Sequence, residues 1–121
     1  MTSSRPYLLR ALYEWICDNG LTPHLLVDAT LPRVEVPEAY VNQGKIVLNI
    51  SPQAVQHLNI DQAWVSFDAR FSGTPMHVAF PVQAVLAIYA KENGKGMMFE
   101  EEEMPEPPPE KGRKPGLKVV K

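Results

Sequence analysis

The chain contains one cysteine, Cys17, so it cannot form an internal disulfide, and a reducing, cytoplasmic setting is expected. No apolar run approaches the ~20 residues of a membrane span. Arg10 and Glu14 break up the apolar N-terminal stretch "MTSSRPYLLRALYEW", which argues against a signal peptide. Catalytic signatures are missing as well: there is no GxSxG, CxxC, HExxH, P-loop or GxGxxG. His24, His57 and His77 stand alone in sequence, which favours structural or exposed roles. Cys17 lies in an apolar stretch with no basic neighbour, as a small buried hydrophobe would rather than an activated nucleophile. Gly94-Lys95-Gly96 is too short to argue a phosphate loop and reads as the end of a helix. Asp68 and Arg70 share a strand face, for which an exposed ion pair is the plain account. The expectation is a protein without enzymatic activity, cofactor or metal.

Positive charge is also scarce where nucleic acid would need it. The 121 residues sum to a net charge of -2, distributed in blocks. Residues 1–99 sit at -1, residues 100–110 at -6 from six Glu, and residues 111–121 at +5 with no acid. A near-neutral body offers no broad electrostatic surface for a phosphate backbone. The hydrophobic fraction of 45% is that of an ordinary soluble domain. The body, taken as residues 1–99, is long enough for a two-layer core.

Local patterns divide this body into one long helix and several strands. "RPYLLRALYEWICDNG" predicts a helix, with Ser3 or Ser4 as a cap, Pro6 in the first turn and Asn19-Gly20 as the stop. Its apolar residues surround more than one face. Leu8, Leu12 and Trp15 form one row, Leu9, Tyr13 and Ile16 lie beside it, and Tyr7 and Ala11 flank it. Such a helix buries a second face, against either its own chain or a second subunit. "HLLVDAT" and "KIVLNI" predict strands, and "LPRVEVPEAYVNQG" predicts short extended pieces and turns. "AVQHL" reads as a helical turn. "AWVSFDARF" alternates as a strand, with Val65, Phe67, Ala69 and Phe71 on one face. "SGTP" is a turn, "MHVAFPV" a strand, "VQAVLAIYAKENG" a second helix and "GMMFE" a short edge strand. The class is α+β, mainly β, with a small, partly open β-barrel as one form.

Two features suggest binding. Ala69, small between Phe67 and Phe71, could floor a groove for an extended peptide with Arg70 at its rim, although the same alternation is ordinary core patterning. The end of the chain is less easily explained by packing. "EEEEMPEPPPEKG" has no core-forming pattern and predicts a solvated, stiff spacer. At ~3.1 Å per residue, its residues 100–112 would reach at most about 40 Å. "RKPGLKVVK" follows, and its Leu117, Val119 and Val120 have no local apolar partner, as in a docking peptide for another protein.

The stretches "RPYLLRALYEWICDNGLTPHLLVDATLP", "GKIVLNISPQAV" and "VQAVLAIYAKENGKGMMFE" strongly resemble the stringent starvation protein B (SspB) family, and "GRKPGLKVVK" resembles that family's C-terminal module. The resemblance implies a homodimeric adaptor with a small Sm-like β-barrel, an N-terminal helix and a disordered C-terminal tail. It would bind the ssrA tag of rescued incomplete proteins and deliver them to the ClpXP protease. Residues 1–99 would be the peptide-binding and dimerisation domain, 100–112 the linker and 113–121 the docking motif for the zinc-binding N-terminal domain of ClpX. By position, Tyr7, Leu8, Ala11, Leu12 and Trp15 would meet the second subunit. Val47, Asn49, Phe67, Ala69, Arg70 and Phe71 would form the peptide groove. Arg113, Pro115, Leu117, Val119, Val120 and Lys121 would dock on ClpX. The linker is shorter than is common in the family. An Sm-like RNA-binding module is the alternative that the fold implies, and membrane association is not expected.

Overall fold

Pro6 stands where a helix has no use for a backbone N–H, and the chain turns helical there. The computed structural model describes residues 3–99, and helix α1 runs Arg5–Asp18. Ser4 occupies the cap position without a side-chain capping bond, and Ser3 Oγ accepts the Arg5 N–H instead. At the other end Gly20 takes φ +73°, a left-handed conformation that costs glycine little. Gly20 N–H donates to the Cys17 carbonyl and Leu21 N–H to the Ile16 carbonyl, the paired bonds of a Schellman cap. The stop expected at Asn19-Gly20 therefore stands.

Seven strands follow among the described residues: β1 Pro23–Asp28, β2 Lys45–Asn49, β3 Val55–Ile60, β4 Trp64–Phe71, β5 Thr74–Pro81, β6 Val85–Ala90 and β7 Gly96–Met98. They make two antiparallel sheets, ordered β2-β1-β6-β7 and β3-β4-β5. A bridge between Glu35 and Ala79 ties the loop after β1 to β5. Among the described residues no closed ring of ladders runs through both sheets. The architecture is thus α+β and mainly β, as expected. One core joins the two sheets and the helix. It contains Leu9 and Ile16 from α1, Leu25, Ile46 and Ile88 from the first sheet, and Val65, Phe67, Val78 and Phe80 from the second.

Three local expectations need correction. "VQAVLAIYAKENG" is not a helix. Val82–Ala84 make one 3-10 turn and Val85–Ala90 form β6, paired with β1 on one side and β7 on the other. A strand with partners on both edges and apolar cover on both faces loses its polar alternation, so its sequence resembles a buried helix. Here β-branched Val85 and Ile88 and the six-residue length agree with the strand. Gly94-Lys95-Gly96 correspondingly ends no helix: Gly94, with φ +72°, and Lys95 belong to the β6–β7 turn, and Gly96 opens β7. "AVQHL" is also not a helical turn, because β3 begins at Val55.

Gly96 is required for space rather than for its φ. It lies opposite Tyr89 in the ladder, and a Cβ at this position would collide with the backbone of Ile88 and Tyr89. No helix among the described residues is long and apolar enough to cross a membrane. The linker 100–112 and docking motif 113–121 lie outside the described residues.

Candidate peptide-binding cleft and exposed helix face

The β4–β5 hairpin sets the geometry of the first candidate site. Ser72 and Gly73 both have positive φ, +54° and +83°, giving the primed two-residue turn that suits the twist of paired strands. This fixes the register at Phe71 opposite Thr74, and hence Ala69 opposite Met76 and Asp68 opposite His77. On the other side of β4, Ala69 faces Val55 and Asp68 faces Gln56, before the β3 ladder is interrupted by a bulge between Gln56 and Asn59.

An open cleft of about 420 Å³ lies here. One wall is the chain entering β3, from Pro52 to Gln56, and the other is Asp68, Ala69 and Arg70 of β4 with Pro75 at the start of β5. Of the six groove residues expected from sequence, Ala69 and Arg70 line this cleft. Arg70 is exposed and its Nη1 donates to the Gly73 carbonyl at 3.3 Å. Phe67 lies beneath, 1% exposed, with its ring edge-on to Phe80 at 6.4 Å. Phe71 is half-buried against the Tyr40 ring at 5.5 Å. Val47 and Asn49 are exposed on β2 in the other sheet and are not among the residues lining this cleft. Asn49 Oδ1 accepts the Ser51 N–H at 2.9 Å, shaping the turn out of β2.

The structure adds a cluster that sequence reading did not assemble. Asp68 does not pair with Arg70; its two carboxylate oxygens each accept a hydrogen bond from an imidazole. His57 Nδ1 lies 2.9 Å from Oδ2 and His77 Nδ1 lies 2.8 Å from Oδ1. The hydrogen bonds from His77, first, and His57 hold the Asp68 carboxyl below its ordinary range. The His77 contact was within reach of sequence, because the two-residue turn in "SGTP" places residue 77 across from residue 68. His57 was not, because it sits in the bulge with φ +59°.

The second candidate surface is on α1. Tyr7, Ala11 and Trp15 form an exposed row at four-residue spacing, with Tyr7 49% and Trp15 50% exposed. Leu8 and Leu12 flank it half-buried, whereas Leu9 and Ile16 enter the core. Arg10 steadies one end of the row. Its guanidinium stacks on the Tyr7 ring at 5.0 Å, and its Nη1 donates to the Ile60 carbonyl at 2.6 Å. Elsewhere on the helix, burial pushes the half-buried Cys17 thiol up, opposed by its hydrogen bond with Tyr13 and assisted by Asp18. That is the reverse of the shift a nucleophilic cysteine needs.

Comparison with known proteins covers both surfaces. The family described as stringent starvation protein B matches residues 3–118. A stringent starvation protein B homolog from Haemophilus influenzae is 52% identical over 100 residues, spanning 83% of this chain and 67% of that one.

Proposed function

The chain belongs to the stringent starvation protein B family, and on that basis we propose that it is a proteolysis adaptor rather than an enzyme. It holds the ssrA tag of rescued incomplete proteins in the cleft at Ala69 and Arg70. It tethers them to ClpXP through residues 113–121, which dock on the zinc-binding N-terminal domain of ClpX. The observation that carries this reading is the open cleft at Ala69 in a chain whose family match extends to residue 118. A small side chain in the floor leaves room for a peptide, and the flanking polar groups can select among peptides. Phe67 supports this floor from the core and Phe71 closes one end, while Val47 and Asn49 contact a longer stretch of peptide. The two sheets make an open Sm-like barrel.

The protein works as a cytoplasmic homodimer joined through Tyr7, Leu8, Ala11, Leu12 and Trp15. Two tails then engage two docking sites. Once the first is bound, the second contact is intramolecular, at an effective concentration near millimolar, which raises avidity by ~10²–10⁴. No chemical step is required of the adaptor. It raises the local concentration of tagged substrate at the unfoldase. No specific observation favours the Sm-like RNA-binding alternative, and the near-neutral body lacks the basic surface it needs.

The test is binding of a fluorescent ssrA-tag peptide to the wild type and to Ala69→Gln, with circular dichroism confirming that both are folded. Filling the floor should weaken binding by about tenfold or more, in line with overpacking costs of ~1–3 kcal/mol. A folded wild type that does not bind the tag overturns the adaptor reading.

A further inference from the structure

Among the described residues that line the cleft, Asp68 is the one acid and Arg70 the one base. They stand two residues apart on β4, so both side chains leave the same face of the strand. Opposite charges so placed would ordinarily turn to each other, yet each is held elsewhere. Arg70 reaches along the hairpin to the Gly73 carbonyl, and Asp68 is gripped from the strands on either side by His57 and His77. Each of these imidazole bonds needs only an Nδ1–H, which a neutral ring supplies. They keep the Asp68 carboxyl below its ordinary range, so it is an anion at neutral pH. A carboxylate has about four acceptor sites and the imidazoles fill two. The Asp68 side chain is 46% exposed, which leaves the remaining sites open to a ligand. A guanidinium has about five N–H donors, of which Gly73 takes one. The cleft therefore presents two fixed charges of opposite sign, neither cancelled by the other.

We propose that Asp68 and Arg70 read two side chains of the bound peptide set two residues apart, a hydrogen-bond donor at Asp68 and a carboxylate at Arg70. This rests on the adaptor reading of the cleft. An extended peptide repeats its side-chain direction every two residues, at about 7 Å, the same repeat that separates the two charges on β4. A peptide carboxylate beside Asp68 would meet a like charge that cannot swing away, because both of its oxygens are held. A peptide cation beside Arg70 would meet the same penalty with the sign reversed. Selection thus comes from repulsion of the wrong side chain as much as from attraction of the right one. At the Arg70 end the attraction is a charge-assisted hydrogen bond to a planar fork of donors.

The experiment replaces each residue of the fluorescent ssrA-tag peptide in turn by Asp and by Lys. Affinities are measured for the wild type, Asp68→Asn and Arg70→Gln, with circular dichroism confirming that all three are folded. In the wild type, one peptide position should favour Lys over Asp by about threefold or more. The position two residues away should favour Asp over Lys by a similar factor, the scale of exposed charge pairs. Asp68→Asn should erase the first preference alone, and Arg70→Gln the second alone, as a double-mutant cycle requires of two separate contacts. Tag binding without these opposed preferences, preferences that survive in the variants, or a spacing other than two residues overturns this inference and leaves the adaptor reading standing. Absence of tag binding to the wild type overturns the adaptor reading and this inference with it.

Discussion

His24 stands where β1 meets both of its neighbours, opposite Asn49 on β2 and Tyr89 on β6, with its ring edge-on to Tyr89 at 5.8 Å. Burial, and then Lys91, push its pKa below the ordinary 6.5, while Glu92 pulls the other way. The folded state therefore gives up its proton more readily than the unfolded chain. The corresponding stability is fully present above about 6.5 and is lost as the pH falls from there through the folded value. His24→Gln should remove this part of the acid sensitivity. Urea unfolding at neutral and mildly acidic pH should show a smaller stability difference between the two pH values in the variant than in the wild type. An equal difference would assign the acid sensitivity to other groups. His24 and His77 looked alike in sequence, each a lone histidine in or beside a strand. Their surroundings separate them: one is partly buried beside a tyrosine, the other exposed on a carboxylate.

Helix α1 presents two kinds of surface because its apolar residues exceed what one core face can take. The Leu9–Ile16 side is covered by this chain, and the Tyr7–Ala11–Trp15 row is open. In the proposed dimer, Ala11→Glu places a charge at the centre of an apolar contact. Light scattering should show the mass of the variant falling to that of one subunit, with circular dichroism unchanged. A mass that stays at two subunits moves the interface elsewhere. The excess apolar girth was legible in the sequence, and so were the helix stop, β1, β2, β4, β5 and β7. The pattern failed at β6, whose two covered faces erase the alternation on which strand reading depends. It also failed at the start of β3, where a bulge breaks the period and leaves few local cues. For the cleft, alternation along one strand suggested Ala69 and Arg70 but read equally as core patterning, and the family resemblance singled them out. The Pro52–Gln56 wall and His57 depend on the pairing of β3 with β4, which no single stretch encodes.

At the scale of the whole molecule, charge is separated along the chain. A near-neutral body carries the cleft, and the opposite charge blocks lie beyond residue 99. Under the proposed function these parts act independently, so deleting residues 113–121 should leave tag-peptide affinity within about twofold while removing the stimulation of ClpXP degradation. Degradation that stayed stimulated would dissociate the tail from delivery.

The junction of body and tail has a mechanical consequence. Phe99 N–H donates to the Leu86 carbonyl at 2.8 Å, and the Phe99 ring lies under the Arg5 guanidinium at 5.1 Å. That same guanidinium donates through Nη1 to the carbonyls of Gln83 and Val85. A pull exerted on the tail would thus enter the fold at β7, β6 and the first turn of α1. The cleft is built on the other sheet, away from that line of tension, so under the proposed function a loaded tail would not pry it open.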